Sequence, residues 1–241
     1  MAISILLGSG GISTEERKKI YVDLVREHFS QSDQVLFIPY ASDDHEFYTN
    51  RMQSFLGKNG PELLGIETFE DPIRAVNSAN GIYLGGGNSF LLVKSLHERN
   101  LLDSIRDRIT NGIPYLGISA GSNIACPSMM TTNDMPIVYP PTFKALGIVP
   151  FQINPHYHPG KVLFKDGNEI SKHYGESRAQ RIAEFHKHNS TPVLGMWEGS
   201  FVHWDGTVGR LTGRATAFIA DAEPVEMYHG TEFNSLLSRD I

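Results

Sequence analysis

Short apolar runs alternate with amphipathic stretches from residue 2 to residue 123, and this alternation narrows the available folds more than any other feature of the chain. The runs at 2–8, 34–39, 63–69, 81–85 and 113–118 are rich in Ile, Leu, Val, Phe and Tyr without a clean in/out polar pattern. Strands covered on both faces read this way. Between the runs, Ser13 with Glu16 forms a capping-box pattern for a helix to about His28, and Ser42/Asp43 can cap a helix to Phe55 or Leu56. Asp71-Pro72 opens a short helix to Ala79, Gly86-Gly87-Asn88 leads a helix to His97, and 101–110 extends or restarts it before Asn111-Gly112. The order is β-α-β-α throughout. It predicts an α/β fold: a doubly wound, mostly parallel sheet with helices on both faces, three layers in all. Ligands of such sheets lie beyond the carboxyl ends of the strands.

Two glycine-rich turns fall at those ends, 85–88 and 117–123, so both border one crevice. The second lies within I-P-Y-L-G-I-S-A-G-S-N (113–123), whose apolar half reads as a buried strand and whose small-residue half reads as a turn into a short helix. Gly117 and Gly121 flank Ser119 in the G-x-S-x-G pattern of a nucleophile elbow, which aims the serine out of the sheet. The Ala120 N–H would open the helix and face the same space as an oxyanion donor. A serine between glycines is more often an ordinary turn, so the rest of the chain has to supply a base.

Beyond the elbow the pattern loosens. Residues 129–150 hold four prolines and read as a long ordered loop. A short strand at 151–154 ends in Pro155-His156, a helix covers 176–188, a strand covers 192–197, and 201–210 forms a hairpin turning at Asp205-Gly206. The last third therefore adds antiparallel strands. No internal repeat divides the chain, and 1–241 is expected to be a single domain.

Bulk properties exclude several function classes. The net charge of −6 disfavours nucleic acid or an anionic membrane as partner, because both need a basic surface field. No apolar run approaches the ~18 residues of a membrane span. Residues 1–8 enter an apolar strand directly, which points away from a signal peptide, and the single cysteine, Cys126, fits a reducing cytoplasm.

A serine hydroxyl needs a base within hydrogen-bond reach and a third group that fixes the base's tautomer. Of the ten histidines, His156 is best placed, following a strand in I-N-P-H-Y-H with Pro155 stiffening the backbone. His156/His158 and His186/His188 are H-x-H pairs, but no carboxylate stands at metal-ligand spacing, so no metal is expected. The G-G-G-N turn lacks both the P-loop Lys-Ser/Thr and G-x-G-x-x-G spacing, which argues against a nucleotide.

Six ordered segments together resemble the peptidase E family of aspartyl dipeptidases: G-G-G-N-S-F (85–90), G-I-S-A-G-S-N (117–123), T-T-N-D-M-P-I-V (131–138), I-N-P-H (153–156), E-S-R-A-Q-R-I (176–182) and the E-G of W-E-G-S (197–200). The resemblance implies a flavodoxin-like fold related to class I glutamine amidotransferases. It also implies a serine exopeptidase, without cofactor or metal, that cleaves dipeptides beginning with aspartate. On this basis Ser119 is the nucleophile, His156 the general base and Arg178 the partner of the substrate β-carboxylate. Gly87 and Asn88 complete the oxyanion hole with Ala120. Asp134 and Glu198 both match acids of the family. Either can orient the imidazole while the other meets the substrate amino group, with Glu198 preferred as orienter because it ends a core strand.

The expected partner is thus a small Asp-X peptide, and a homodimer is compatible with the sequence. Alternatives are an esterase or a cyanophycinase-like peptidase of the same fold, or a non-catalytic ligand-binding relative. The connection 159–174 is longer than the family's usual one, so it is expected to alter entry to the site or acceptance of the second residue.

Overall fold

Strand β1 (Ile5–Gly8) lies at the middle of the molecule, parallel to one neighbour and antiparallel to the other. After it come α1 (Glu15–His28), β2 (Gln34–Ile38), α2 (His45–Leu56), β3 (Glu62–Gly65), α3 (Pro72–Ser78), β4 (Ile82–Leu84), α4 (Ser89–Glu98), α5 (Leu101–Thr110), β5 (Tyr115–Ile118) and α6 (Ala120–Ala125). The second half holds β6 (Gln152–Tyr157), β7 (Leu163–Asp166), β8 (Glu169–Lys172), α7 (Arg178–His186), β9 (Val193–Trp197), β10 (Phe201–Trp204), β11 (Gly209–Thr212), β12 (Ala215–Phe218), β13 (Val225–Met227) and β14 (Glu232–Phe233). The computed structural model describes residues 2–58, 60–160, 163–172 and 174–234.

The main sheet has the order β14-β11-β10-β1-β5-β4-β2-β3. Strands β1, β5, β4, β2 and β3 are parallel, and β10, β11 and β14 continue the sheet antiparallel. Both faces of the parallel part are covered, which is why its strands are apolar on both sides. On one face Leu6, Phe37, Tyr83 and Leu116 pack with Tyr21 and Val25 of α1 and Met52 and Leu56 of α2. On the other, Ile5, Leu7, Ile38, Leu84 and Tyr115 pack with Val76 of α3, Leu92 of α4, Ile105 of α5 and Ile124 of α6. The expected three-layer, doubly wound α/β arrangement is present.

A second sheet, β13-β12-β9-β6, joins the same core through Ile153, Leu194 and Met196. Its β6 and β9 are parallel, whereas β9, β12 and β13 are antiparallel. The antiparallel strands of the last third are therefore shared between two sheets.

Some local expectations shift. Residues 63–69 do not form one strand: β3 stops at Gly65 and Ile66–Thr68 is a 3₁₀ turn. Helix α1 is capped by Thr14, whose side chain accepts from the Arg17 N–H, and not by Ser13; α2 is capped by Asp44, one residue beyond the Ser42/Asp43 pair. Cap choice depends on which residue leaves helical φ/ψ just ahead of the first turn, and several Ser, Thr and Asp in a row leave that open. In the 159–174 connection, residues 161, 162 and 173 lie outside the described residues. The rest forms the hairpin β7–β8, exposed along both strands apart from the half-buried Ser171.

Candidate active site

Ser119 stands directly after β5 with φ +52° and ψ −107°, a conformation that a β-carbon disfavours. The surrounding contacts enforce it. The Ser119 N–H donates to Gly8 O at 2.8 Å, and the Ser122 hydroxyl, one turn into α6, donates to Gly8 O and Gly117 O at 2.8 Å each. The chain at Gly117 and Gly121 passes so close to its neighbours that a β-carbon would lie 2.5 Å from Gly121 O and 2.2 Å from Leu84 O, respectively. Only glycine fits such an approach.

His156 arrives from the second sheet. It lies in β6 at a register shift between Asn154 and Tyr157, again with a left-handed backbone at φ +55°. The bulge turns its ring toward β5. Its Nε2 is 2.8 Å from Ser119 Oγ, and its Nδ1 is 2.9 Å from Glu198 Oε1. An ionised carboxylate only accepts, so Nδ1 carries the proton and donates it to Glu198, leaving Nε2 to accept from the Ser119 hydroxyl. Glu198 follows β9, the parallel neighbour of β6, with Trp197 in register with Tyr157. Nucleophile and base-acid pair thus come from different sheets.

The T-T-N-D segment is the rack for I-N-P-H. Thr131 Oγ1 and Asn123 Nδ2 both donate to Ile153 O at 2.7 Å, Asn154 Nδ2 donates to Thr131 O, and Asn133 Nδ2 donates to Pro155 O at 2.8 Å. Sequence reasoning passed over Asn123, Thr131 and Asn133, although they sit inside the matching motifs. Asp134, by contrast, is bonded to the start of α4. Its Oδ2 accepts from the Ser89 N–H at 2.7 Å and the Ser89 hydroxyl at 2.6 Å, at the positive end of α4.

Asn88 has a different place from the one expected. Its N–H donates to Ala41 O, its Oδ1 accepts from the Phe90 and Leu91 N–H groups, and its Nδ2 donates to Met135 O. It is the N-cap of α4, and its peptide N–H is already committed, which corrects its assignment to the oxyanion hole. Gly86 lies against the nucleophile, a β-carbon there being 3.3 Å from Ser119 Cβ. That leaves the N–H groups of Gly87 and Ala120 as candidates; the latter opens α6, where no helical acceptor exists.

Arg178 is the first residue of α7, behind a capping box of Ser177 and Gln180. Its Nε and Nη1 are buried without a hydrogen-bond partner among the described residues. Desolvation, then the charge of Arg181, pull its pKa below the usual guanidinium value, while Glu198 and Asp134 oppose this. A half-buried guanidinium with unpaired N–H groups has the geometry to bind a carboxylate through two N–H donors. A cleft of about 390 Å³, lined by His158, Lys172, Tyr174, Glu176, Arg178 and Arg181, opens beside it. Ser119 and His156 do not line this cleft; Arg178, at its edge, lies within electrostatic reach of both Glu198 and Asp134.

Other tempting groups are occupied. His158 Nδ1 and His186 Nε2 face the carbonyls of Gly160 and Thr191, and among the described residues no group of three or more His, Cys, Asp or Glu could hold a metal. Cys126 is buried with its thiol on Ser122 O, and burial pushes its pKa up, so it is no nucleophile. Among the described residues no helix is long and apolar enough to cross a membrane.

Similarity to known proteins agrees with this architecture. Peptidase E of Streptomyces coelicolor is 39% identical over 218 residues, covering 90% of this chain and 87% of its own. A probable alpha-aspartyl dipeptidase of Drosophila melanogaster is 42% identical over 208 residues, covering 85% and 84%. Two solved structures share the fold. A peptidase from an acI-B1 Actinobacterium has a TM-score of 0.66 at 16% identity over 97% of this chain and 98% of that one. A putative peptidase E protein from Listeria monocytogenes has 0.58 at 21% over 95% and 99%. The model of peptidase family S51 matches residues 4–212, and with relatives this similar over most of their length the chain belongs to that family.

Proposed function

We propose that this protein is a serine dipeptidase that hydrolyses dipeptides with an N-terminal aspartate. The observation that carries the proposal is the hydrogen-bonded series Ser119 Oγ, His156, Glu198, with distances of 2.8 Å and 2.9 Å. The names of the relatives, peptidase E and probable alpha-aspartyl dipeptidase, support the substrate class. Arg178 receives the β-carboxylate, and Asp134, whose Oδ2 is held by Ser89, offers Oδ1 to the α-ammonium group.

His156 Nε2 takes the Ser119 proton as Oγ attacks the peptide carbonyl, and the oxyanion forms against the N–H groups of Ala120 and Gly87. Collapse breaks the C–N bond, and the imidazolium gives its proton to the departing amine, leaving an aspartyl ester on Ser119. His156 then deprotonates a water, which attacks the ester; the C–Oγ bond breaks, the imidazolium returns its proton to Ser119 Oγ, and aspartate leaves. Glu198 holds the Nδ1–H tautomer throughout and stabilises the imidazolium.

The lone buried thiol of Cys126 supports a cytoplasmic setting.

Initial rates with Asp-p-nitroanilide, Asn-p-nitroanilide and N-acetyl-Asp-p-nitroanilide test the reading. Cleavage of the first alone, abolished in Ser119→Ala, is expected. Cleavage of all three, or full activity in Ser119→Ala, overturns it.

A further inference from the structure

His156 and Glu198 belong to the second sheet and Ser119 to the first, so their registry depends on whatever joins the two. His156 also holds a left-handed backbone at φ +55° without being glycine, which needs an external restraint. Both requirements meet in the turn that follows β1. The Ser9 hydroxyl, on a residue 0% exposed, accepts the His156 N–H at 2.8 Å and donates to Met196 O at 3.1 Å. One buried oxygen therefore ties the backbone of the base to the strand that carries the acid.

The same turn grips both flanks of Glu198. The Ser9 N–H donates to Ser200 O at 2.9 Å, and the Gly199 N–H donates to Gly10 O at 2.7 Å. Gly10 and Gly11 lie against the two side chains themselves. A β-carbon on Gly10 would stand 3.0 Å from His156 Cε1, and one on Gly11 would stand 1.8 Å from Glu198 Oε2. At the other end of the turn, Gly8 O accepts the Ser119 N–H. Consecutive residues thus touch nucleophile, base and acid.

We propose that Gly8-Ser9-Gly10-Gly11 is the clamp that sets the registry of the three groups across the two sheets, with Ser9 as the positioning residue for His156. This rests on the serine-peptidase reading above. Ser9 touches no substrate atom; it acts by fixing where the imidazole Nε2 stands relative to Ser119 Oγ. A hydroxyl that merely satisfied buried backbone groups would affect stability and leave the chemistry alone.

The test compares wild type with Ser9→Ala by melting temperature, kcat and KM on Asp-p-nitroanilide, and the rate of Ser119 labelling by a small fluorophosphonate. Displacement of the base is expected to lower kcat and the labelling rate together, by on the order of 10²-fold, with KM changed by less than about twofold. A lower melting temperature with kcat and labelling within about threefold of wild type overturns the proposal. Should Ser9→Ala fail to accumulate as folded protein, Gly10→Ala carries the same test: at φ +99° its methyl strains the turn itself and stands 3.0 Å from His156 Cε1, so it displaces the clamp from within. Undiminished labelling there overturns the clamp equally. A wild type that labels at Ser119 yet leaves Asp-p-nitroanilide intact counts against the aspartyl substrate alone, and the labelling comparison still decides the clamp.

Discussion

Two histidines stand at opposite ends of β5 and show how partners, more than residue type, set a role. His28, the last residue of α1, donates from Nε2 to Tyr115 O at 2.9 Å, where β5 begins. Its backbone is helical, and burial pushes its pKa down to about 4 despite the carbonyl contact, with His203 adding to the fall. It is a neutral structural donor. His156 lies past the other end, on a left-handed bulge, between a hydroxyl and a carboxylate, with 35% of its side chain and 42% of that of Glu198 exposed. Desolvation of the His28 ring outweighs the carbonyl that would favour a proton on it, whereas a ring backed by a carboxylate at an open strand end has a partner for that proton.

Breaking this contrast should have its largest effect at His156. In His156→Ala kcat is expected to fall by at least about 10⁴-fold, while His28→Gln, which keeps an N–H for Tyr115 O, stays within about threefold. Equal losses in the two variants, at matched melting temperature, would remove the distinction.

The acids sharpen it next. Glu198→Gln should lower kcat by about 10²- to 10⁴-fold with KM nearly unchanged, because the imidazole loses its tautomer lock. Asp134→Asn should act mainly through KM, by about tenfold, and through the α4 terminus, where loss of a carboxylate contact costs about 1 kcal/mol. Steady-state kinetics showing the reverse split would reassign the orienting acid.

The smallest effect is thermodynamic. The folded pKa of His28 lies below that of a free imidazole, so the unfolded chain binds more protons between pH ~6.5 and ~4. Its contribution to stability is full above that window and declines as pH falls through it, by about 2 kcal/mol between pH 7 and pH 5. Urea unfolding at the two pH values should show this decline in wild type and a shallower one in His28→Gln. His203, whose pKa is also lowered by burial, adds slope of the same sign. An identical decline in both proteins would mean that His28 is not desolvated as described.

What the sequence made legible follows the range of the interactions concerned. The strand, glycine turn and short helix around Ser119 span eleven residues, and every contact that shapes the turn is foreshadowed by a small residue in that stretch. Asn88 shows the limit of such reading. The resemblance implied an oxyanion donor here, yet Ala41, from a separate loop, claims its N–H. Nothing local in the sequence singles out Ser9, because its partners are 147 and 187 residues away. The choice between Asp134 and Glu198 was open for the same reason: Ser89 takes the first and His156 the second.

Determined by the sequence alone are the β-α-β-α order, the parallel sheet covered on both faces, and the elbow that presents Ser119. Hydrophobic periodicity and glycine sterics act over a few residues and leave their mark in the order of the chain. The tertiary structure decided which carboxylate backs His156, which N–H groups remain for an oxyanion, and how the two sheets are held in register. Those outcomes depend on hydrogen bonds among segments far apart in sequence, and a distance near 2.8 Å between such segments exists only once both sheets have packed on β1.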